Sequence, residues 1–203
     1  MTGMVKTLIL TGWGWKDYAC AAALALRHCK EADVLGMSTR RLPEFLDEVK
    51  GYREILILGV GLADNPGLLE KALVRLASDK VKVVWISSLP LPMVVGEAIR
   101  RKLDCRVDED ADGITDAVSR VFGIPCDDLA PILQENKPAA KVQRIQRLLE
   151  AVMYMYRNDQ DEGAYAQAIR HIANGDDESQ WTPAERKMVA HYLRYGSREL
   201  VGR

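Results

Sequence analysis

The N-terminal part of the chain alternates short apolar runs with helical patterns. Runs typical of strands lie at 5–11, 33–37, 54–60, 81–86 and 105–107. Alanine-rich or amphipathic stretches follow them, at 15–29, 43–49, 66–78, 93–103 and 113–122. This alternation predicts βαβ units and an α/β fold, with an open, mostly parallel five-stranded sheet flanked by helices.

The pattern changes after the Gly-Ile-Pro stretch at 123–125, because strands vanish and long amphipathic segments continue from 127. The clearest helix lies at 139–156, with apolar residues at three- and four-residue spacing. Thr182, Pro183 and Glu185 form a helix start of the capping-box type. The pattern therefore predicts an α/β domain at 1–125 followed by an all-α C-terminal region at 126–203.

Composition narrows the classes of partner. Hydrophobic residues make up 48% of the chain and charged residues 28%, which is typical of a folded protein. A net charge of -1 gives no overall reason to expect nucleic-acid or membrane-surface binding. No apolar run approaches the roughly 18 residues of a membrane span, and no signal peptide is visible. The four cysteines show no CxxC spacing, so we expect reduced thiols and a cytoplasmic protein.

In an open parallel sheet, ligands bind beyond the carboxyl ends of the strands. The first such loop contains Gly12, Trp13, Gly14, Trp15 and Lys16. It is a poor dinucleotide fingerprint, because Asp17 stands where the third glycine would be. It also lacks the glycine-lysine-serine/threonine end of a phosphate-binding P-loop. The sequence thus gives no evidence for a nucleotide cofactor, and we expect none.

The loop resembles the first motif of the DHH phosphoesterase superfamily, in which a strand ends in His-x-Asp-x-Asp-Gly before an alanine-rich helix. The three ligand positions here read Gly12, Gly14 and Lys16. The Gly-Val-Gly-Leu stretch at 59–62 resembles the second motif, with Gly59 at the position of the ligand aspartate. Ser87, Ser88 and Leu89 stand where the family has Asp-His-His.

The resemblance covers roughly residues 5–124 and implies the fold without its metal ligands. A two-metal phosphoesterase needs several carboxylates and imidazoles to hold its cations. Glycine, serine, leucine and lysine cannot replace them. We therefore expect no metal and a catalytically inactive, DHH-like binding or regulatory module, in which a helical region replaces the family's glycine-rich second domain.

The altered loops still offer binding groups. A helix start and Lys16 suit an anion, and indole rings suit a base. We expect the first, third and fourth loops to form one cleft for a small anionic or nucleotide-like ligand. The candidate ligand-binding residues are Gly12, Trp13, Gly14, Trp15, Lys16, Gly59, Asn65, Ser87 and Ser88. The alternative is that the tryptophans pack under neighbouring loops and that Lys16 is solvated.

Other functions remain open. A divergent phosphoesterase could use Asp17, Asp64 and the acidic run around Asp108. A structural protein could assemble through its helices, for example as a homodimer. The Glu-Leu-Val-Gly stretch at 199–202 is similar to the entry of the AAA+ module of bacterial transcription activators, which would make the chain an N-terminal regulatory segment. Isolated histidines, including His171, are expected to have packing or surface roles.

Overall fold

The structure is a computed structural model, and it describes residues 6–13, 15–29, 31–62, 64–90, 96–133, 140–159 and 162–196. Gly14, the start of the helix predicted at 93–103, and the 199–202 stretch lie outside the described residues. No helix in the described part of the chain combines the length and apolar character needed to cross a bilayer.

The predicted five-stranded parallel sheet is confirmed. Its strands are β1 (Thr7–Thr11), β2 (Ala32–Gly36), β3 (Glu54–Leu58), β4 (Lys82–Ser87) and β5 (Asp104–Val107). They lie in the order β2-β1-β3-β4-β5, and every described pair is parallel. Their apolar runs are continuous because both faces of the sheet are covered. The chain reverses its direction of winding between β1 and β3, so the crevice between these strands opens at their carboxyl ends.

Helices cover the two faces of the sheet separately. Ile9, Leu56 and Val84 face α1 (Lys16–Cys29) and α5 (Ile114–Phe122). Leu10, Ile57 and Trp85 face the other way, toward α2 (Leu42–Glu48), α3 (Pro66–Ser78) and α4 (Glu97–Arg100). The alternation along each strand thus divides the interior into two apolar layers.

The predicted all-α C-terminal region is also confirmed. It contains α6 (Ala130–Leu133), α7 (Ala140–Asp159), α8 (Glu162–Asn174) and α9 (Pro183–His191), followed by a π-helical turn at Tyr192–Gly196. These helices pack on the α1 side of the sheet, where Ile169 of α8 and Leu24 of α1 belong to one buried cluster. Arg170 of α8 donates a hydrogen bond to the carbonyl of Ala32 on the edge strand β2, at 3.0 Å. The division at residue 125 stays a prediction, while the apolar core is continuous across it.

Two helices begin with side-chain caps, and the cap of α9 is the one that its sequence predicts. Asn65 adopts a left-handed conformation and its side chain accepts a hydrogen bond from the Leu68 amide. Thr182 and Glu185 form the complete capping box of α9. The helix predicted to reach residue 103 ends instead at Arg100, because the chain turns there to bury Leu103 before β5 begins.

Candidate functional site

A cavity of about 220 Å³ lies at the carboxyl edge of the sheet. The loops after β1, β3 and β4 meet there together with the start of α5. The residues that line the cavity are Trp15, Asp17, Tyr18, Gly59, Ser87, Ser88, Leu89 and Ile114. Parallel strands place their carboxyl ends at one edge, which is why loops distant in sequence converge.

The ring of Tyr18 fills the crevice between β1 and β3. A Cβ atom added to Gly12 would lie 2.7 Å from Tyr18 Cε2, and one added to Gly59 would lie 2.6 Å from Tyr18 Cε1. Gly59 also has φ +66°, a conformation that favours glycine. Two positions at which the family resemblance implies metal ligands are therefore glycines that contact a phenol ring.

The carboxylate of Asp17 caps a helix that begins almost a hundred residues later. Its two oxygens accept hydrogen bonds from the Ile114 and Thr115 amides, at 2.8 and 2.9 Å. The Thr115 hydroxyl in turn donates to the Asp17 carbonyl, at 2.9 Å. Negative charge is stabilising at a helix start. Asp17 thus joins the N-terminal turns of α1 and α5 at the cavity.

The two tryptophans of the first loop have different surroundings. Trp13 is half-buried, contacts Gly36 and stacks on Tyr165 of α8 with 4.3 Å between the ring centroids. It does not line the cavity, and it matches the expected alternative of packing. Trp15 lines the cavity and is 71% exposed, so its indole face remains available to a ligand.

The other predicted site residues lie at different distances from the cavity. Lys16 points toward the helical region, where its ammonium lies 3.7 Å from Glu150 Oε1. Asn65 is occupied in capping α3. Ser87 accepts a hydrogen bond from the Leu89 amide, at 3.0 Å, and Ser88 lies beside it in the cavity wall. The structure therefore brings together Trp15, Gly59, Ser87 and Ser88, whereas Lys16 and Asn65 lie outside the lining.

Acidic residues surround the start of α5. The Asp108 amide donates to the Ser87 carbonyl at 3.0 Å, which places the acidic run beside the cavity wall. Arg120 pairs with Asp108 and more closely with Asp116, at 3.4 and 2.7 Å. Within the described ranges, no group of three or more His, Cys, Asp or Glu residues could hold a metal ion.

A buried hydrogen-bonded cluster lies apart from the cavity, in the helical region. His171 Nδ1 lies 2.8 Å from Asp176 Oδ2, and its Nε2 lies 3.0 Å from Glu185 Oε1. Thr182 also contributes hydrogen bonds to Glu185. His171 and Glu185 are both buried. The cluster links α8 to α9, so this histidine, expected to have a packing or surface role, connects two helices through hydrogen bonds.

Two further cavities of similar volume lie toward the amino ends of the strands. In one of them, Arg75 Nη2 donates to the carbonyls of Leu46 and Val49 at the end of α2, and Nη1 pairs with Asp79. In the other, Lys82 pairs with Glu54. Neither lies at the edge where the ligands of parallel sheets bind.

No protein-family model and no curated protein matches this sequence. Among solved structures, the chain is similar to RecJ from Thermus thermophilus, determined in complex with Mn²⁺. The identity is 13%, and the alignment covers 98% of this chain but 36% of the RecJ chain, with a TM-score of 0.48. The chain thus spans about a third of the length of that protein. This level of similarity does not assign the chain to a family.

Proposed function

We propose that this chain is a catalytically inactive, DHH phosphoesterase-like module that binds a small anionic or nucleotide-like ligand at the carboxyl-edge cavity and has a regulatory role. The observation that carries the proposal is the position of Tyr18. Its ring fills the crevice beside Gly12 and Gly59, the place where a hydrolase of this kind would hold cations. A cavity remains next to that ring.

The described residues around the cavity do not fit a two-cation site. Both oxygens of Asp17 accept helix amides, and Asp108 is held by Arg120. Asp64 is exposed and lies outside the cavity lining. Two cations would need several oxygen or nitrogen ligands converging on one point. The geometry therefore supports binding over metal-dependent hydrolysis.

The regulatory part of the proposal rests on contacts between the first loop and the C-terminal helices. Tyr165 of α8 donates a hydrogen bond to the Gly12 carbonyl, and Lys16 pairs with Glu150 of α7. The Glu150 carboxylate also accepts a hydrogen bond from the Tyr192 hydroxyl, at 3.4 Å. Connected series of packed side chains and hydrogen bonds of this kind carry energetic coupling between sites. A ligand that moves this loop would change the packing of α7 and α8.

A thermal-shift screen with nucleotides, phosphorylated metabolites and inorganic phosphate tests ligand binding, because a ligand that binds only the folded state raises its stability. At least one compound is expected to raise the melting temperature. The response should be smaller in Trp15→Ala and unchanged in Tyr195→Ala, which alters an exposed aromatic residue outside the cavity lining. A screen with no stabilising compound would overturn the binding role.

A second assay addresses catalysis. The protein is incubated with Mn²⁺ and generic phosphodiesters, and product release is compared with a buffer blank. We expect turnover no greater than the blank. Hydrolysis that is abolished by Asp17→Asn would instead support the divergent phosphoesterase.

An assembly role has one observation in its favour. Leu193 and Tyr195 are 50% and 48% exposed at the C-terminal end of the helical region. Light scattering tests a homodimer formed through these helices: a dimer dissociated by Leu193→Asp would support it, and a monomer at all concentrations would exclude it. The N-terminal segment of a transcription activator stays a prediction, since residues 199–202 lie outside the described part of the chain.

A further inference from the structure

The charge of the carboxyl-edge cavity distinguishes two kinds of ligand. Among the described residues that line it, Asp17 is the one charged group. In the sequence, the positions outside the described part that adjoin the loops after β1, β3 and β4, namely Gly14, Ala63 and 91–95, are all uncharged. The cation predicted for the site, Lys16, is paired with Glu150 outside the lining. The described residues of the cavity wall therefore offer no cationic side chain to an anion.

The backbone amides at the start of α5 are also engaged. Asp17 accepts hydrogen bonds from Ile114 and Thr115, so its negative charge offsets the positive end of this helix. The acidic run that begins at Asp108 lies next to Ser87, and Arg120, which pairs with Asp108 and Asp116, offsets only part of its negative charge. Like charges at short range repel an approaching phosphate group. The potential at this site disfavours an anion.

The neutral groups of the cavity suit a planar heterocycle. Trp15 presents an exposed indole, and bases stack on such rings. Among the described residues, the hydroxyls of Tyr18 and Ser88 have no hydrogen-bond partner, while both lie in the lining. Each oxygen of a carboxylate has two lone pairs, so Asp17 can accept a further bond from a ring N–H. The cavity lining thus combines an aromatic ring for stacking, two hydroxyl donors and a carboxylate acceptor.

We infer that the cavity takes the uncharged base of a nucleoside, stacked on Trp15 and hydrogen-bonded to Tyr18, Ser88 and Asp17, and does not take a phosphate group. The inference rests on the proposed ligand-binding function and names the part of the ligand that enters. A volume of about 220 Å³ is below the ~300 Å³ lower end of drug-sized pockets. It suits one ring system, with the rest of the ligand outside.

Calorimetric titration of the full chain tests this assignment with adenosine, guanosine, cytidine and uridine on one side, and inorganic phosphate and pyrophosphate on the other. At least one nucleoside is expected to bind, and neither inorganic anion. Trp15→Ala should weaken nucleoside binding by about tenfold, as expected for loss of one stacked base. Tyr18→Phe keeps the ring that fills the crevice and should weaken binding severalfold. The control Tyr195→Ala should leave it unchanged.

The outcomes separate this inference from the function on which it rests. Binding of phosphate or pyrophosphate without any nucleoside would overturn the inference and leave the ligand-binding function in place. Nucleoside binding that survives Trp15→Ala would overturn the assignment to this cavity. If none of the six compounds binds, the inference fails, and a failed thermal-shift screen would then remove the binding function as well.

Discussion

Tyr165 donates a hydrogen bond to the Gly12 carbonyl, at 3.1 Å, across 153 residues of sequence. The tyrosine is fully buried, and burial raises the pKa of its hydroxyl far above the ordinary value, so the group remains a neutral donor. Its ring also stacks on Trp13. The helical region therefore contacts the backbone of the loop that opens the candidate site.

Replacing Tyr165 with phenylalanine should destabilise the protein by about 1–3 kcal/mol. The substitution keeps the stacking on Trp13 but leaves the buried Gly12 carbonyl without this donor, and an unsatisfied buried acceptor costs that amount. Chemical denaturation measures the loss. Tyr195→Phe, which removes an exposed hydroxyl, should change stability by less than about 0.5 kcal/mol. Equal effects of the two substitutions would contradict the assigned role.

The helix cap formed by Asp17 gives a local prediction. Asp17→Ala removes the acceptor of the Ile114 and Thr115 amides, so the start of α5 should loosen. We expect a loss of about 1–2 kcal/mol, as for other N-cap deletions. Hydrogen exchange should accelerate at Ile114 and Thr115 more than at amides in the middle of α5.

Asp64→Ala is the matched control for this cap. Asp64 lies in another loop that follows a strand, is exposed, and has no hydrogen-bond or ion-pair partner among the described residues. Its replacement should alter stability by less than about 0.5 kcal/mol. If Asp17→Ala proved equally mild, the carboxylate would be free for another task and the case for a divergent metal site would strengthen.

Much of the fold is predictable because its signals are local. The run at 54–58 is apolar because both faces of its strand are buried, and the sheet follows from five such runs alternating with helices. The caps at Asn65 and Thr182 are also local, since each side chain bonds to an amide three residues later. Each of these contacts joins residues that are three positions apart, so a sequence pattern can predict them.

The sequence predicted that the loops after β1, β3 and β4 form one cleft, but the roles of Asp17 and Tyr18 at its centre depend on residues distant in sequence. Asp17 and Tyr18 are the first-turn residues of an alanine-rich helix in the sequence. Their roles arise because strand order brings Gly59 beside Gly12, and because α5 begins next to Asp17. The two tryptophans illustrate the same point. Trp13 and Trp15 lie two residues apart, yet only the position of α8 decides which one is covered.

The contact between Gly12 and Tyr18 predicts a specific coupling of substitutions. Gly12→Ala should cost about 1–3 kcal/mol, because the new methyl group overlaps the tyrosine ring and has to displace it. In a Tyr18→Ala background the same substitution should cost less than about 1 kcal/mol. A double-mutant cycle by denaturation measures this coupling.

Gly59→Ala provides the contrast in the same background. Gly59 also contacts Tyr18, but its φ of +66° strains any side chain whether or not the ring is present. Its substitution should therefore still cost about 1–2 kcal/mol when Tyr18 is alanine. Equal rescue of both glycine variants would show that Gly59 has no need of its left-handed conformation.

At the amino end of the sheet, Tyr52 and Asp33 form a hydrogen bond that should make stability depend on pH. The Tyr52 hydroxyl donates to the Asp33 carboxylate at 2.7 Å, and Lys6 lies 3.0 Å from the same oxygen. The hydrogen bond from Tyr52, followed by Lys6, lowers the pKa of Asp33. Burial and the contact with Asp33 raise the pKa of Tyr52 to about 12.

These opposite shifts define the pH range in which the pair stabilises the fold. The pKa of Asp33 is lower in the folded protein than in the unfolded chain, where it is about 3.9. The carboxylate therefore stabilises the fold above this pH, and the stabilisation is lost as the pH falls through the folded-state pKa. The pKa of Tyr52 is raised above the unfolded value of about 10. The neutral hydroxyl therefore stabilises the fold below pH ~10, and the stabilisation is lost as the pH rises toward 12. The contribution is therefore complete between these limits and decreases outside them.

Tyr52→Phe should bring the pKa of Asp33 back toward its ordinary value, because it removes the largest cause of the shift. Carbon NMR titration of the side-chain carboxyl groups measures this change. Asp104, whose pKa is lowered mainly by Arg106, is the internal control and should titrate as in the parent protein. The variant should also lose less stability on acidification below pH ~4, since less of its carboxyl shift remains. An unchanged Asp33 titration would mean that Lys6 alone holds the carboxylate in its charged form.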